Sequence, residues 1–172
     1  RLYVHNISTG DPSTFYLEGT LPFHGVEGEN QVVNTSGGII WCNNISAYYY
    51  NGDPTAIKDL RYYEEDDKLI KRISDSTWST YYQSDSALGY DVKSNTVILK
   101  QGTTGDSTSG HIMQYDIAND AWSLGSATMW AKDADCSNFI NMNDGSLINA
   151  IEGEAANGTT SRVISGDGDI AV

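Results

Sequence analysis

Apolar and aromatic residues of this chain come in short runs that polar turn residues separate. Each run is rich in Tyr, Val, Ile or Thr, and the breaks between runs are rich in Gly, Asn, Asp and Ser. Runs of this length and composition are typical of β-strands. The pattern predicts strands at residues 2–5, 14–17, 97–100, 111–115, 139–142, 147–150 and 170–172.

One predicted hairpin has an especially clear turn. Residues 139–142 and 147–150 are joined through Asn143, Asp144, Gly145 and Ser146. Asp-Gly between two apolar runs favours the tight turns that connect antiparallel strands. Consecutive strands of this kind predict a meander of hairpins.

Residues 55–73 allow two interpretations. Asp53 and Pro54 resemble the start of a helix, and helix-permissive residues follow. However, four acidic residues at positions 64–67 interrupt the apolar stripe that a continuous helix needs. We therefore favour a strand at 60–63, an acidic turn and a second strand at 69–73, with the helix as the alternative.

A loose repeat suggests how these strands are organised. Strand, polar turn, strand and Trp recur in a copy ending at Trp78 and a copy ending at Trp122, while a third copy at 138–150 lacks the Trp. The two Trp residues are 44 positions apart, and a four-stranded propeller blade takes roughly 40 to 50 residues. The sequence predicts an all-β fold of β-propeller-like blades of antiparallel strands, with residues 1–172 forming a single domain of about four blades. A β-sandwich is the alternative.

Two segments carry a family resemblance. Residues 110–125 resemble the third strand and closing Trp of a blade in the fungal fucose-specific lectins of the Aleuria type, and residues 60–63 resemble the second strand. The first segment is also similar to a kelch repeat. The resemblance to the lectins implies sugar pockets that each draw an Arg from the second strand, a Glu from the third and a neighbouring aromatic residue.

Carried over residue by residue, the resemblance selects candidate carbohydrate-binding residues. They are Arg61 and Trp78 with Tyr62 and Tyr63 in the first copy, and Gln114 and Trp122 in the second. Lys71 stands at the Glu position of the first copy, Gln114 at that of the second and Asn149 at that of the third. Because Lys71 places a second cation beside Arg61, we expect this pocket to prefer acidic sugars to fucose.

Composition narrows the range of partners. The chain has 10 Lys and Arg against 23 Asp and Glu, a formal net charge of −13. Such a surface repels nucleic acid and anionic membranes. Residues 1–4 lack the apolar stretch of a signal peptide, so we expect any leader to have been removed. No apolar run is long enough to cross a bilayer, and we expect no membrane insertion.

Cysteines and glycosylation sequons together favour an extracellular protein. Cys42 and Cys136 are predicted to form one disulfide, with two separate buried thiols as the alternative. N-x-S/T sequons lie at Asn6, Asn34, Asn44 and Asn157.

Motifs that indicate catalysis are sparse. His5, His24 and His111 lie in unrelated segments without metal-ligand spacing, and acidic runs such as 64–67 are typical of solvated turns. We expect no enzyme, no cofactor and no metal. The sequence predicts a secreted module that binds glycans or glycoproteins. The alternative is an extracellular structural protein that self-assembles into homo-oligomers and has no small-ligand site.

Overall fold

The computed structural model describes residues 1–8, 10–53, 56–102, 109–125, 130–131, 139–155, 158–165 and 168–170. At 109–110, at 130–131 and from 149 onward it describes the backbone alone. Antiparallel strands dominate these residues, which contain a single α-helix. No helix among them is long and apolar enough to span a membrane.

The strands and the helix follow one another in short steps along the chain. They are β1 (Leu2–Asn6), β2 (Tyr16–Leu21), β3 (Val32–Thr35), β4 (Gly38–Cys42), β5 (Ala47–Tyr50), β6 (Lys58–Asp59), β7 (Tyr62–Glu65), β8 (Lys68–Lys71), α1 (Asp75–Tyr81), β9 (Ala87–Asp91), β10 (Thr96–Lys100), β11 (Ser109–Gly110), β12 (Ile112–Asp116), β13 (Ala121–Leu124), β14 (Trp130–Ala131), β15 (Phe139–Asn141), β16 (Leu147–Ala155), β17 (Gly158–Ser165) and β18 (Gly168–Ile170). Two single-turn 3-10 helices lie at Pro12–Thr14 and Glu29–Gln31.

Three of the sheets are four-stranded antiparallel meanders. Their strand orders are β3-β4-β5-β6, β9-β10-β12-β13 and β15-β16-β17-β18. The remaining strands form the pairs β1-β2, β7-β8 and β11-β14, and no sheet in the described part of the chain closes on itself. The predicted all-β class is confirmed.

The ambiguous segment 55–73 contains a hairpin instead of a helix. Tyr62 pairs with Lys71 and Glu65 with Lys68 in the β7-β8 ladder. The turn is formed by Asp66 and Asp67, whose φ angles of 51° and 58° are left-handed. A two-residue hairpin turn of type I′ needs this conformation, and Asp tolerates it.

The Asp-Gly hairpin is also confirmed. Phe139 pairs with Asn149 and Asn141 with Leu147. Gly145 has a φ of 82° in the turn between the two strands. Of the predicted C-terminal strand, Ile170 ends β18, whereas residues 171 and 172 lie outside the described residues.

The short helix α1 was not predicted, and it carries Trp78 at its centre. Ser74 starts it, since its hydroxyl accepts a hydrogen bond from the Thr77 N–H at 3.0 Å. The Trp78 indole N–H donates to the Asn43 carbonyl at 3.0 Å, and its ring stacks on Tyr82. Burial of this one aromatic residue stabilises a helix that local sequence does not favour.

The main core lies where the first two four-stranded sheets and α1 meet. Its buried members are Ile40, Cys42, Ala47, Leu60, Ile73, Trp78, Tyr82, Leu88, Tyr90, Val97, Leu99, Met113 and Tyr115. A smaller cluster, formed by Ile98, Ile112 and Leu147, lies against Phe139. The main core therefore joins segments that are up to about 75 residues apart in sequence.

Arg61 is buried at the edge of this core, immediately before β7. Its guanidinium donates to the Ile45 carbonyl, to the Ile73 carbonyl at 3.0 and 3.2 Å and to the Asp75 carboxylate at 2.6 Å. Its carbon Cζ lies 5.4 Å from the centre of the Trp78 ring. Arg61 thereby ties the β4-β5 turn, the exit from β8 and the start of α1 to one another.

Replacing Arg61 should destabilise the protein strongly. In Arg61→Met the carbonyl of Ile45 and the carbonyl of the buried Ile73 lose their Arg61 donors, and we expect the free energy of unfolding to fall by about 3 kcal/mol. Urea unfolding followed by circular dichroism measures this change. Lys71→Met is the matched control, because Lys71 pairs with the same Asp75 from an exposed position. A loss in Arg61→Met no larger than that in the control would contradict the prediction.

Candidate functional site

The structure brings Arg61 and Trp78 together, as the lectin resemblance implied, but places both inside the protein. Arg61 is 3% exposed and Trp78 is 1% exposed. The Arg61 N–H groups bind main-chain carbonyls and Asp75, and the Trp78 ring packs against Tyr82. A sugar therefore has no access to either residue, and their assignment as ligand contacts is corrected to a role in packing.

The other candidates are divided between surface positions and a cleft. Tyr62 is half-buried beneath Lys71, whose ammonium lies 5.3 Å from the ring centre. Gln114 is exposed on β12, away from any described cavity. Tyr63 and Trp122, from different predicted copies, line one open cleft.

This cleft, here called the Arg72–Asp120 cleft, lies between the base of the β7-β8 hairpin and the turn that joins β12 to β13. Its volume is about 370 Å³. The residues that line it are Tyr63, Arg72, Ile73, Asn119, Asp120, Ala121 and Trp122. They comprise aromatic rings, a guanidinium, a carboxylate and an amide.

Local hydrogen bonds hold both walls of the cleft. On one wall, the Arg72 N–H donates to the Arg61 carbonyl at 2.8 Å and closes the base of the hairpin. On the other wall, the Asp116 carboxylate accepts from the N–H groups of Ala118 and Asn119 at 2.9 and 3.0 Å. The turn ends at Asp120, whose φ of 51° is left-handed.

Arg72 and Asp120 connect the two walls directly. The Arg72 guanidinium donates to the Tyr62 carbonyl, to the Asp120 carbonyl and, at 3.0 Å, to the Asp120 carboxylate. Lys58 forms a second ion pair with the same carboxylate at 2.8 Å. The Tyr115 hydroxyl donates to the other carboxylate oxygen.

These contacts determine the ionisation of Asp120. Partial burial alone would raise the pKa of its carboxyl, but the hydrogen bonds from Arg72, Lys58 and Tyr115 lower the pKa to about 2. Burial and the Asp120 carboxylate both raise the pKa of the Tyr115 hydroxyl. Asp120 is therefore a stable anion that positions Arg72 and Lys58.

Two aromatic side chains form the apolar part of the cleft. Trp122 is half-buried, and its indole N–H donates to the Leu60 carbonyl at 2.7 Å. Tyr63 lies under the Arg72 guanidinium, with 5.3 Å between Cζ and the ring centre. The hydrogen bond and the cation–π contact fix the orientation of the two rings.

A second cavity has a different chemical character. It has a volume of about 440 Å³ and lies between β1 and the β3-β4 hairpin. Leu2, Val4, Val26, Val32 and Ile39 contribute much of its lining. Apolar side chains of this kind provide contact area but few directed hydrogen bonds.

The predicted disulfide and sequons fall partly on residues that the structure does not describe. Cys42 is fully buried as a free thiol, and burial raises its pKa, while Cys136 lies outside the described residues. Asn34 and Asn44 are exposed, and Asn6 is half-buried. Asn157 and the side chain of Asn149 are outside the described part. The disulfide and the glycosylation stay predictions.

Metal ligands are not clustered in the part of the chain that the structure describes. There, no group of three or more His, Cys, Asp or Glu side chains is arranged to hold an ion. His111 lies against the Tyr81 ring, and the His24 ring lies against Tyr48.

Comparison of the chain with protein-family models, with curated proteins and with solved structures gave no match. The function of this chain is therefore inferred from the chemistry of its residues.

Sequence reasoning missed Arg72, Asn119 and Asp120 as site residues. Arg72 directly follows Lys71, which stands at the Glu position of the first copy. Asp120 belongs to the Asp-Ala-Trp stretch that carries the lectin resemblance. The signal was thus present in the sequence. The sequence alone does not show that these two segments, 48 positions apart, are in contact.

The ion pairs of Asp120 should make stability depend on pH in acid. Because its pKa is lowered from 3.8 to about 2, Asp120 stabilises the fold above about pH 4, and this contribution disappears as the pH falls toward 2. Asp120→Asn should therefore have a lower melting temperature than wild type at neutral pH. The difference in melting temperature should shrink as the pH falls from about 4 to about 2. Thermal melts across this range measure it, with Glu64→Gln, an exposed change on β7, as control. A constant difference would contradict the assignment.

Proposed function

We propose that this protein is a glycan-binding module without catalytic activity and that the Arg72–Asp120 cleft holds the sugar. The observation that carries the proposal is the composition of the cleft. Trp122 and Tyr63 supply aromatic surface beside the Arg72 guanidinium and the Asn119 amide. Sugars bind best where one surface offers both kinds of contact.

The chemistry of a pyranose explains this preference. Its C–H face is apolar and packs on an aromatic ring, while its hydroxyls need donors and acceptors held at fixed positions. An Arg offers planar N–H groups that bind two neighbouring oxygens. The Asn119 side chain is exposed, its amide nitrogen donates to Asp116, and its amide oxygen accepts no hydrogen bond from the described residues. The cleft therefore offers both a donor and an acceptor.

The state of Asp120 argues against glycosidase activity. Glycosidases generally need two carboxyl groups, one of them a proton donor. Asp120 is the single carboxylate that lines the described cleft, both its oxygens accept hydrogen bonds, and its pKa is about 2. A group so strongly ionised is a poor general acid near neutral pH.

We also propose that the four-stranded meanders are propeller blades and that the protein acts outside the cell. Three four-stranded antiparallel sheets support the blade interpretation, although in one of them β11, which pairs with β14, lies between β10 and β12 in the chain. The exposed sequons at Asn34 and Asn44 and the net charge of −13 support an extracellular location.

Filling the cleft should abolish glycan binding without unfolding the protein. Ala121 is exposed and lines the cleft, so Ala121→Trp places a bulky ring where the sugar is proposed to lie. Ala118→Trp is the matched control, because Ala118 is an exposed residue of the same turn outside the cleft lining. We expect wild type and the control to bind the same glycans on an array and Ala121→Trp to bind none. Equal binding by all three would exclude this cleft.

Self-assembly is the second candidate function, and the N-terminal hairpin β1-β2 favours it. Its half-buried residues, including Leu2 and Val4, face the cavity of about 440 Å³. Tyr3, Tyr16 and Leu17 are 55%, 56% and 49% exposed. A two-stranded hairpin with so much apolar surface gains stability when another layer covers it. We propose a second copy of this chain as that layer.

A charge on this hairpin should prevent the association. Leu17→Lys would bury an unpaired ammonium between the two copies, which is costly. The control is Val92→Lys, an equally exposed apolar position in the β9-β10 turn. Sedimentation at several concentrations should show association for wild type and the control and a monomer for Leu17→Lys. A monomeric wild type at all concentrations would exclude self-assembly.

A further inference from the structure

The Arg72–Asp120 cleft has more hydrogen-bond donors than acceptors to satisfy them. Arg72 uses three of its N–H groups in the bonds to Tyr62 and Asp120, out of the five that a guanidinium carries. Its Nε is buried without a hydrogen-bond partner. The Lys58 ammonium does not line the cleft but reaches it through an ion pair with Asp120 at 2.8 Å, and its side chain is 43% exposed.

Asp120, by contrast, has no acceptor oxygen without a partner. One carboxylate oxygen accepts from Arg72 and Lys58, and the other accepts from Tyr115. About three of the four acceptor positions of this carboxylate are therefore occupied, whereas an arriving acceptor meets the exposed Lys58 ammonium. This imbalance favours ligands rich in acceptors.

The local charge points in the same direction. Two cations, Lys58 and Arg72, share one carboxylate, so the group carries a net charge of +1 in a chain of net charge −13. Glu65 reaches the Tyr63 hydroxyl at 3.4 Å but does not line the cleft. Asp120 is the single acidic residue in the lining of the described cleft.

We infer that the ligand of this cleft is an acidic sugar, whose anionic group pairs with Lys58 and Arg72 while its ring packs on Trp122. This inference rests on the proposed function and specifies its ligand class. A carboxylate, as in a uronic acid, and a sulfate ester both supply the required acceptors. A volume of about 370 Å³ accommodates a sugar ring as well as the anion.

Matched ligands test the charge separately from the sugar ring. We would titrate methyl glucuronide, methyl glucoside, methyl glucoside 6-sulfate and inorganic sulfate by calorimetry, at low and at high salt. We expect the glucuronide to bind about fivefold more tightly than the glucoside. Added salt should reduce that advantage, because the pair with Lys58 is exposed to solvent.

A pair of lysine variants identifies the cation. Lys58→Gln should remove most of the advantage of the glucuronide over the glucoside. Lys68→Gln is the matched control, since Lys68 is exposed at the start of β8 and, unlike Lys58, forms no ion pair with Asp120. It should retain the full preference for the acidic sugar. Melting temperatures of both variants check that the fold is intact.

The outcomes distinguish a failure of the acidic-sugar inference from a failure of the proposed glycan binding. Binding of the 6-sulfate in place of the glucuronide supports the same site and identifies the anion as a sulfate ester. Equal affinities for glucoside and both acidic derivatives would overturn the inference and leave glycan binding intact. Sulfate alone competing as well as either acidic sugar would identify a simple anion site and overturn it too. Failure of every glycan on the array would overturn the proposed function itself.

Discussion

The buried Arg61 guanidinium is the interaction on which the middle of this fold depends. Moving a cation out of water costs several kcal/mol unless its N–H groups are satisfied. Here the Ile45 and Ile73 carbonyls and the Asp75 carboxylate satisfy them. Because these partners lie on three different segments, Arg61 fixes where the β7-β8 hairpin leaves the core. Arg72 closes the base of that same hairpin, so the buried Arg61 positions the Arg72 side of the cleft.

About half of the described strands were predicted, the sheet β3-β4-β5-β6 was not, and neither was the helix. Tyr, Val and Ile runs bounded by turn residues identified the hairpins at 62–71 and 139–150, because strand pairing and turn chemistry are local properties. The segment 74–81 contains Ser, Thr, Trp and Tyr, which have little intrinsic preference for helix. Burial of Trp78 against Tyr82 and Asn43 determines its conformation. That information lies in the tertiary structure and is absent from the local pattern.

The candidate site was predictable only in part, for a related reason. Tyr63 and Trp122 were selected as aromatic candidates, and both line the cleft. Arg61 and Arg72 flank the same hairpin, and nothing local in the sequence distinguishes the buried guanidinium from the one at the cleft. The difference arises because Arg61 meets the β4-β5 turn whereas Arg72 meets the β12-β13 turn. The lectin resemblance selected Arg61, which is buried, and not Arg72, which lines the cleft.

The two walls of the cleft come from hairpins that lie 48 residues apart and meet through Arg72 and Asp120. A molecule held between them acts as a non-covalent crosslink, since it binds only when both walls are in place. Thermodynamic linkage then makes ligand affinity and global stability parts of a single equilibrium: a ligand at 100 times its dissociation constant adds about 2.7 kcal/mol to the native state. Any substitution that lets the hairpins separate weakens binding without touching the ligand. Under the proposed function, long-range assembly of the chain is therefore a condition of recognition.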